Sequence, residues 1–184
     1  PDPGRPRCGG SPLPPAPAAE VALAFRRRHD VPADALLLGS FGFQTPIKRT
    51  DVAIRALTRP GLERVELLIA GELSEYSNYP ALAEKLGVGD RVHVTGYLHF
   101  SELEEAIAAT DLCLNLRYPT AGETSASLLR ILAVGRPALI SDYAEFGDLP
   151  DAVAIHVPLG QGEDELLARL LAERLGGDRS ELAR

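Results

Sequence analysis

No methionine occurs anywhere in this chain, which opens at Pro1. The expectation is a piece of a longer protein that performs only part of a function. Cysteine is nearly as scarce: Cys8 lies in an irregular head and Cys113 inside an apolar run, which excludes a disulfide framework and a zinc cluster. No window approaches the roughly twenty apolar residues of a membrane span, and no basic-then-apolar signal opens the sequence, so a soluble domain is expected. Basic charge is also in deficit. A formal charge of -7 repels polyphosphate and anionic lipid, and nucleic acid is not an expected partner. Lysine is the rarer cation, outnumbered by arginine seventeen to two, and Lys48 is one of the two.

What remains is enough apolar material, 45% of 184 residues, for one sizeable core and too little for two ordinary domains. Residues 1–17 are proline, glycine and small side chains and read as a linker or disordered head; residues 18–184 read as one domain. Ala18 to His29 reads as a helix whose Arg26-Arg27-Arg28 end is solvated and complements the helix dipole. Beyond it, strand-length apolar runs alternate with helix-length amphipathic segments. The strands expected are Ala35–Ser40, Val65–Ala70, Arg91–Thr95, Asp111–Leu116, Ala138–Ile140 and Val153–Val157. The helices expected are Thr50–Thr58, Ala81–Leu86, Ser101–Thr110, Thr124–Val134 and Glu163–Leu175. Short apolar strands that do not alternate require cover on both faces, which predicts a doubly wound parallel α/β sheet. Ligands of such sheets sit at the carboxyl ends of the strands, so the loops after Ser40, Ala70, Thr95, Leu116 and Ile140 form one rim.

In the first of these loops, Lys48 and Arg49 stand beside a helix start, where the dipole disfavours cations; either an anionic ligand lies above them or they point into water. Gly71 and Gly96 end two strands, as turn formers or as places where backbone approaches a planar ligand, with Tyr97 next in line. His99 has no visible partner for a catalytic role. The fourth loop, Arg117 to Ser125, is rich in glycine and hydroxyl residues and runs into a helix, an arrangement that presents free N–H groups to an anion. With the helix starting near Thr124, Glu123 and Arg130 lie seven residues apart on one polar face with Ser127 between them, facing either the cleft or solvent. Leu128, Leu129, Ile131 and Leu132 form the buried side.

In order and spacing these elements resemble the C-terminal, nucleotide-sugar-binding half of retaining glycosyltransferases with the GT-B fold, the group that includes glycogen synthase and phosphatidylinositol mannosyltransferase. The resemblance rests on Gly42 to Lys48, Leu68-Ile69-Ala70-Gly71, Val92 to Tyr97, Ala109 to Leu112, Gly122-Glu123-Thr124-Ser125, Gly135-Arg136-Pro137 and Ser141-Asp142. It implies a Rossmann-like domain that forms one half of the enzyme. It also implies a nucleoside-diphosphate-sugar donor, a missing N-terminal acceptor domain, no metal or other cofactor, and a cytoplasmic location, with peripheral membrane attachment through the missing domain left open. Lys48 matches the lysine on the donor diphosphate, and Phe43 stands where the family has an arginine. Arg49 or Arg117 are the candidates to restore that charge. Glu123 falls one place after the expected sugar-side glutamate, and Arg130 replaces the ribose-binding glutamate. Arg130 can donate but not accept, and Asp148 is a candidate acceptor in its stead.

The site expected from this likeness comprises Glu123 and Lys48 as catalytic groups and Gly42, Lys48, Arg49, Gly96, Tyr97, Arg117, Gly122, Glu123, Thr124, Ser125 and Arg130 around the donor. The Thr124 and Ser125 amides would join Lys48 in stabilising the leaving diphosphate. The replacements at Phe43 and Arg130 keep rivals open: a noncatalytic binding domain of the same fold, a sugar epimerase or phosphorylase half, or a generic flavodoxin-like module.

Overall fold

The computed structural model describes residues 19–120 and 122–176; the proline-rich head expected over residues 1–17 lies outside the described residues. Six strands, β1 (Leu36–Phe41), β2 (Val65–Ala70), β3 (Val92–Gly96), β4 (Leu112–Asn115), β5 (Ala138–Asp142) and β6 (Ala154–Pro158), form one parallel sheet in the order β3-β2-β1-β4-β5-β6. The helices are α1 (Ala19–Arg28), α2 (Thr50–Ala56), α3 (Tyr79–Lys85), α4 (Phe100–Ala109), α5 (Ala126–Val134) and α6 (Glu163–Gly176). This is the doubly wound sheet expected from the alternation of strand and helix lengths. Its topology adds what the sequence could not: β1 pairs with both β2 and β4, Ser40 lying beside Ile69 on one side and Leu114 on the other. The chain winds outward from that point in both directions.

Alternate residues of each strand feed two separate cores. Leu36, Leu38, Leu67, Ile69, Leu112, Leu114 and Leu139 pack against α2, α3 and α6. Leu37, Phe41, Leu68, Cys113, Ala138 and Ile140 pack against α1, α4 and α5. Because both faces are covered, the strands show no polar alternation. Burial pushes the Cys113 thiol up to about 12, which keeps it an inert core residue. In β1, Gly39 makes room for its own strand: a Cβ there would sit 2.4 Å from the Phe41 ring and 2.6 Å from Thr110.

Several boundaries and one face differ from the sequence reading. Arg91 does not begin β3; it lies in a 3-10 turn and donates to the carbonyls of Leu57 and Leu62, both at 2.7 Å, which satisfies chain ends left by α2. The helix expected from Thr124 begins at Ala126, because Ser125 is its cap, its Oγ accepting from Leu128 N at 3.2 Å. Leu129 is exposed rather than on the buried side. The Arg26-Arg27-Arg28 end is not simply solvated. Arg26 is buried and donates to Ala109 O (2.8 Å), Ala35 O (3.1 Å) and Asp111 Oδ2 (2.8 Å), while the same carboxylate oxygen accepts from Leu37 N (2.7 Å).

This junction ties α1 to the start of β1 and the end of α4, and removing one partner strands the others in a poorly solvated place. Arg26→Ala is expected to destabilise the domain by about 3 kcal/mol, read as a lower urea midpoint, whereas Arg27→Ala on the exposed side should change it little.

Candidate functional site

The carboxyl ends of β1 and β4 are the point from which the sheet winds both ways, and the loops there meet as expected of such sheets. They enclose a cleft of about 510 Å³ bordered by Gly42 and Phe43 of the first loop, Gly71 of the second, Tyr97 and Phe100 of the third, and Ser127 and Arg130 of α5. The first loop reaches this place because a polar knot is buried beneath it. Gln44, fully buried, accepts from Thr50 Oγ1 (2.9 Å) and Ser40 Oγ (3.1 Å) and donates to Gly42 O (2.9 Å). Its backbone also bridges the second loop, Gln44 N to Glu72 O at 2.8 Å and Ser74 N to Gln44 O at 2.9 Å. Gly71 permits that approach: at φ +151 a Cβ on it would lie 2.2 Å from Gly42 O.

Lys48 ends a 3-10 turn, Pro46–Lys48, and folds back so that its Nζ donates to Phe41 O. Ser127 Oγ donates to the same carbonyl at 3.1 Å, and a Cβ at Gly42 would lie 3.2 Å from both Lys48 Nζ and Ser127 Oγ. The ammonium is thus held at the end of β1, next to the head of α5. Burial, and after it the nearby Arg117 guanidinium, lowers its pKa to about 8. Two cations drawn together in a half-dry place are in a state that a bound anion relieves.

Arg117 follows β4. Its backbone N donates to Ser141 Oγ (2.9 Å), and its guanidinium meets Ser125 Oγ (3.3 Å) and Glu123 Oε1 (3.4 Å). Ser125 Oγ also donates to Asn115 Oδ1 at 2.7 Å. Among the described residues, Arg117 Nε and Asn115 Nδ2 are buried donors without an acceptor. Both side chains bond the α5 cap residue Ser125, so these two donors are held at the start of that helix.

Several expected roles change. Arg49 does not face the rim; it pairs with the buried Glu163 at the start of α6, Nε to Oε1 at 3.1 Å, and of the two candidates only Arg117 supplies charge beside Lys48. Glu123 and Arg130 do not share a helical face, because Glu123 precedes the Ser125 cap and lies in the loop with Thr120 and Arg117. Arg130 instead stacks on Phe100, its Cζ 4.4 Å from the ring centroid. With α5 starting at Ala126, the amides of Ala126 and Ser127 also open its end. Both residues line the cleft. Asp148 is exposed and does not border the cleft; in the loop after β5 it is Glu145 that reaches the fourth loop, accepting from Thr120 Oγ1 at 2.7 Å.

Gly42 and Tyr97 stand where expected, Gly96 bridges to Gly71 behind them, and Gly122 forms the exposed turn before Glu123. His99 caps the α4 start, its N donating to Glu102 Oε2 at 3.1 Å, and has no place in the cleft. Sequence reasoning missed Gln44, Asn115 and Phe100. Each is a common residue type whose role depends on what another segment brings beside it.

Residues 33–172 match the model of the family described as Glycosyl transferases group 1. The chain belongs to this family. D-inositol 3-phosphate glycosyltransferase of Stackebrandtia nassauensis is 35% identical over 144 residues, which covers 72% of this chain and 31% of that protein. Among solved structures, HepE of Anabaena in complex with UDP superposes with a TM-score of 0.74 at 19% identity, over 91% of this chain and 46% of that one. WaaG, a glycosyltransferase involved in lipopolysaccharide biosynthesis, gives 0.69 at 24% identity, over 93% and 48%. The C-terminal domain of the group 1 family protein LpcC from Francisella tularensis gives 0.66 at 15% identity, over 91% of this chain and 87% of that domain. The chain thus spans a third to a half of the longer proteins it matches and most of the isolated C-terminal domain. Its sheet is the Rossmann-like half of a GT-B glycosyltransferase fold.

A group 1 domain with this loop packing should be intolerant of any side chain at the contact between its first two loops. Gly71→Ala is expected to cost about 2–3 kcal/mol and to move the amide resonances of Gly42 to Lys48. Gly122→Ala, at φ +85 but in open space, should cost about 1 kcal/mol and leave those resonances in place.

Proposed function

We propose that this domain binds the donor of a retaining glycosyltransferase, a nucleoside diphosphate sugar, and that transfer to an acceptor takes place against a second, N-terminal domain of the full-length protein. The observation that carries the reading is the meeting of Lys48, Arg117 and the α5 N-terminus at the end of β1. One ammonium, one guanidinium and outward helical amides form a diphosphate-shaped set of donors. As the sugar leaves, negative charge grows on the diphosphate, and these fixed positive groups stabilise it without rearranging. Glu123, on the loop that leads into α5, would face the sugar. No protein nucleophile, metal or further cofactor is part of this mechanism.

The base and ribose would occupy the cleft between Tyr97, Phe100 and Arg130, where exposed aromatic rings offer stacking surfaces. Arg130 donates to ribose oxygens, with its guanidinium fixed by Phe100. UDP is the first nucleotide to test, because HepE, which shares the fold, was crystallised with it. A noncatalytic binding domain is the second reading, favoured by the engagement of Arg130 with Phe100 where the family has a glutamate. Transfer by the full-length protein from a nucleotide sugar separates the two, and this domain alone should bind nucleotide but turn nothing over.

Lys48 gives the reading a pH signature. Its ammonium binds the diphosphate, and the free domain loses that proton near pH 8. The last phosphate proton of a nucleoside diphosphate leaves near pH ~6, so between pH 7 and 9 Lys48 is the group that titrates. UDP affinity measured by calorimetry is therefore expected to be nearly level between about pH 7 and 7.5 and to fall above 8, by up to about tenfold per pH unit. Lys48→Ala and Arg117→Ala should each weaken binding about 10- to 100-fold, and Lys48→Ala should abolish the fall. Unchanged affinity in both variants would remove the diphosphate from this place.

A further inference from the structure

We propose that Glu163 and Arg49 are a positioning pair that fixes Lys48 relative to Arg117 and so tunes the donor site from α6; the proposal rests on the reading of Lys48 and Arg117 as diphosphate ligands. Arg49 directly follows Lys48 and holds a left-handed conformation, φ +52, unusual for a residue with a long side chain. Its N–H donates to Pro46 O at 3.0 Å, closing the turn that carries Lys48. The left-handed backbone sends the side chain away from the cleft and onto Glu163, 114 residues later, which receives both Nε and a terminal nitrogen.

Glu163 is 4% exposed and is the first residue of α6, where a helix N-terminus favours its negative charge. The same guanidinium lies 5.8 Å from the Tyr118 ring centroid, and Tyr118 N donates to Ile47 O at 2.9 Å. One fork therefore touches the chain neighbours of both cations, Lys48 on the first loop and Arg117 on the fourth. Attachment of α6 alone does not explain the arrangement, because Arg59 already grips Asp164 at 2.6 Å and Glu165 at 3.2 Å.

The lowered pKa of Lys48 comes from burial and then Arg117, and the Arg49 guanidinium is turned onto Glu163. The titration of Lys48 therefore reports where its ammonium sits. The chain has two lysines, and ¹³C-lysine labelling gives two side-chain signals, with Lys85 on an exposed surface as the reference. In Arg49→Gly, which suits the left-handed backbone, and in Glu163→Gln, the Lys48 midpoint is expected to move from about 8 toward the ordinary 10.5, with UDP affinity falling about tenfold. Glu163→Gln is the sharper test: loss of a negative charge would by itself push the midpoint down, so a rise reports movement. Arg59→Ala, which loosens α6 without touching Arg49, should leave both readouts as in the parent.

A parental Lys48 midpoint in both Glu163→Gln and Arg49→Gly overturns the pair's role, and so does an equal shift in Arg59→Ala. If Lys48→Ala leaves UDP affinity unchanged, the diphosphate reading fails instead, while the midpoints still decide whether the pair positions Lys48.

Discussion

The parallel pairing of β1 with both β2 and β4 fixes where this domain can hold a ligand. Parallel strands need crossovers, and crossovers that run outward from one strand leave a crevice at its carboxyl end with loops on either side. The backbone there cannot be satisfied by neighbouring strands once they diverge. Phe41 O, the last carbonyl of β1, takes its donors from the side chains of Lys48 and Ser127 instead. Those two bonds draw the first loop and α5 to one point, and every other feature of the site is arranged around them.

The crevice is prepared rather than neutral. Arg117 stands close enough to disfavour the charge on Lys48, and a polar knot around Gln44 holds the first loop from below. Under the proposed donor reading, such preorganisation would leave little to rearrange when the diphosphate binds. The arrangement also accommodates the departures from the family pattern. Phe43 joins Tyr97 and Phe100 in an exposed aromatic border, and the charge beside Lys48 comes from Arg117.

Much of the fold could be read along the chain because its cause is local or periodic. Runs such as Val65–Ala70 are apolar without alternation, and only a sheet covered on both faces accepts them. The cap and stop signals around α5, Ser125 and Gly135, are short-range, and they place its ends within two residues of expectation. The loops could be assigned to one rim for the same reason, since strand direction in a doubly wound sheet follows from the helices between strands. Errors arose where a residue's environment is made by distant segments. Arg26 looks like any solvated helix end until Asp111 is brought beneath it, and Arg49 looks like a ligand-binding cation until Glu163 takes it away from the rim.

The sequence by itself determined the layered sheet, the approximate ends of its elements, and the placing of Gly42, Lys48, Arg117 and Ser125 in loops of one rim, because spacing and polarity act over a few residues. Only the tertiary structure decided that Arg117 lies beside Lys48 near the end of β1 while Arg49 is spent on Glu163. A side chain's partner can lie more than a hundred positions away, and no local pattern records it. The stretch from Arg117 to Ser125 shows both halves of that statement. Its glycine and hydroxyl content led to the expectation of an anion site, while the packing put Glu123 outside the helix, set Arg130 on Phe100 and left Arg117 beside Lys48.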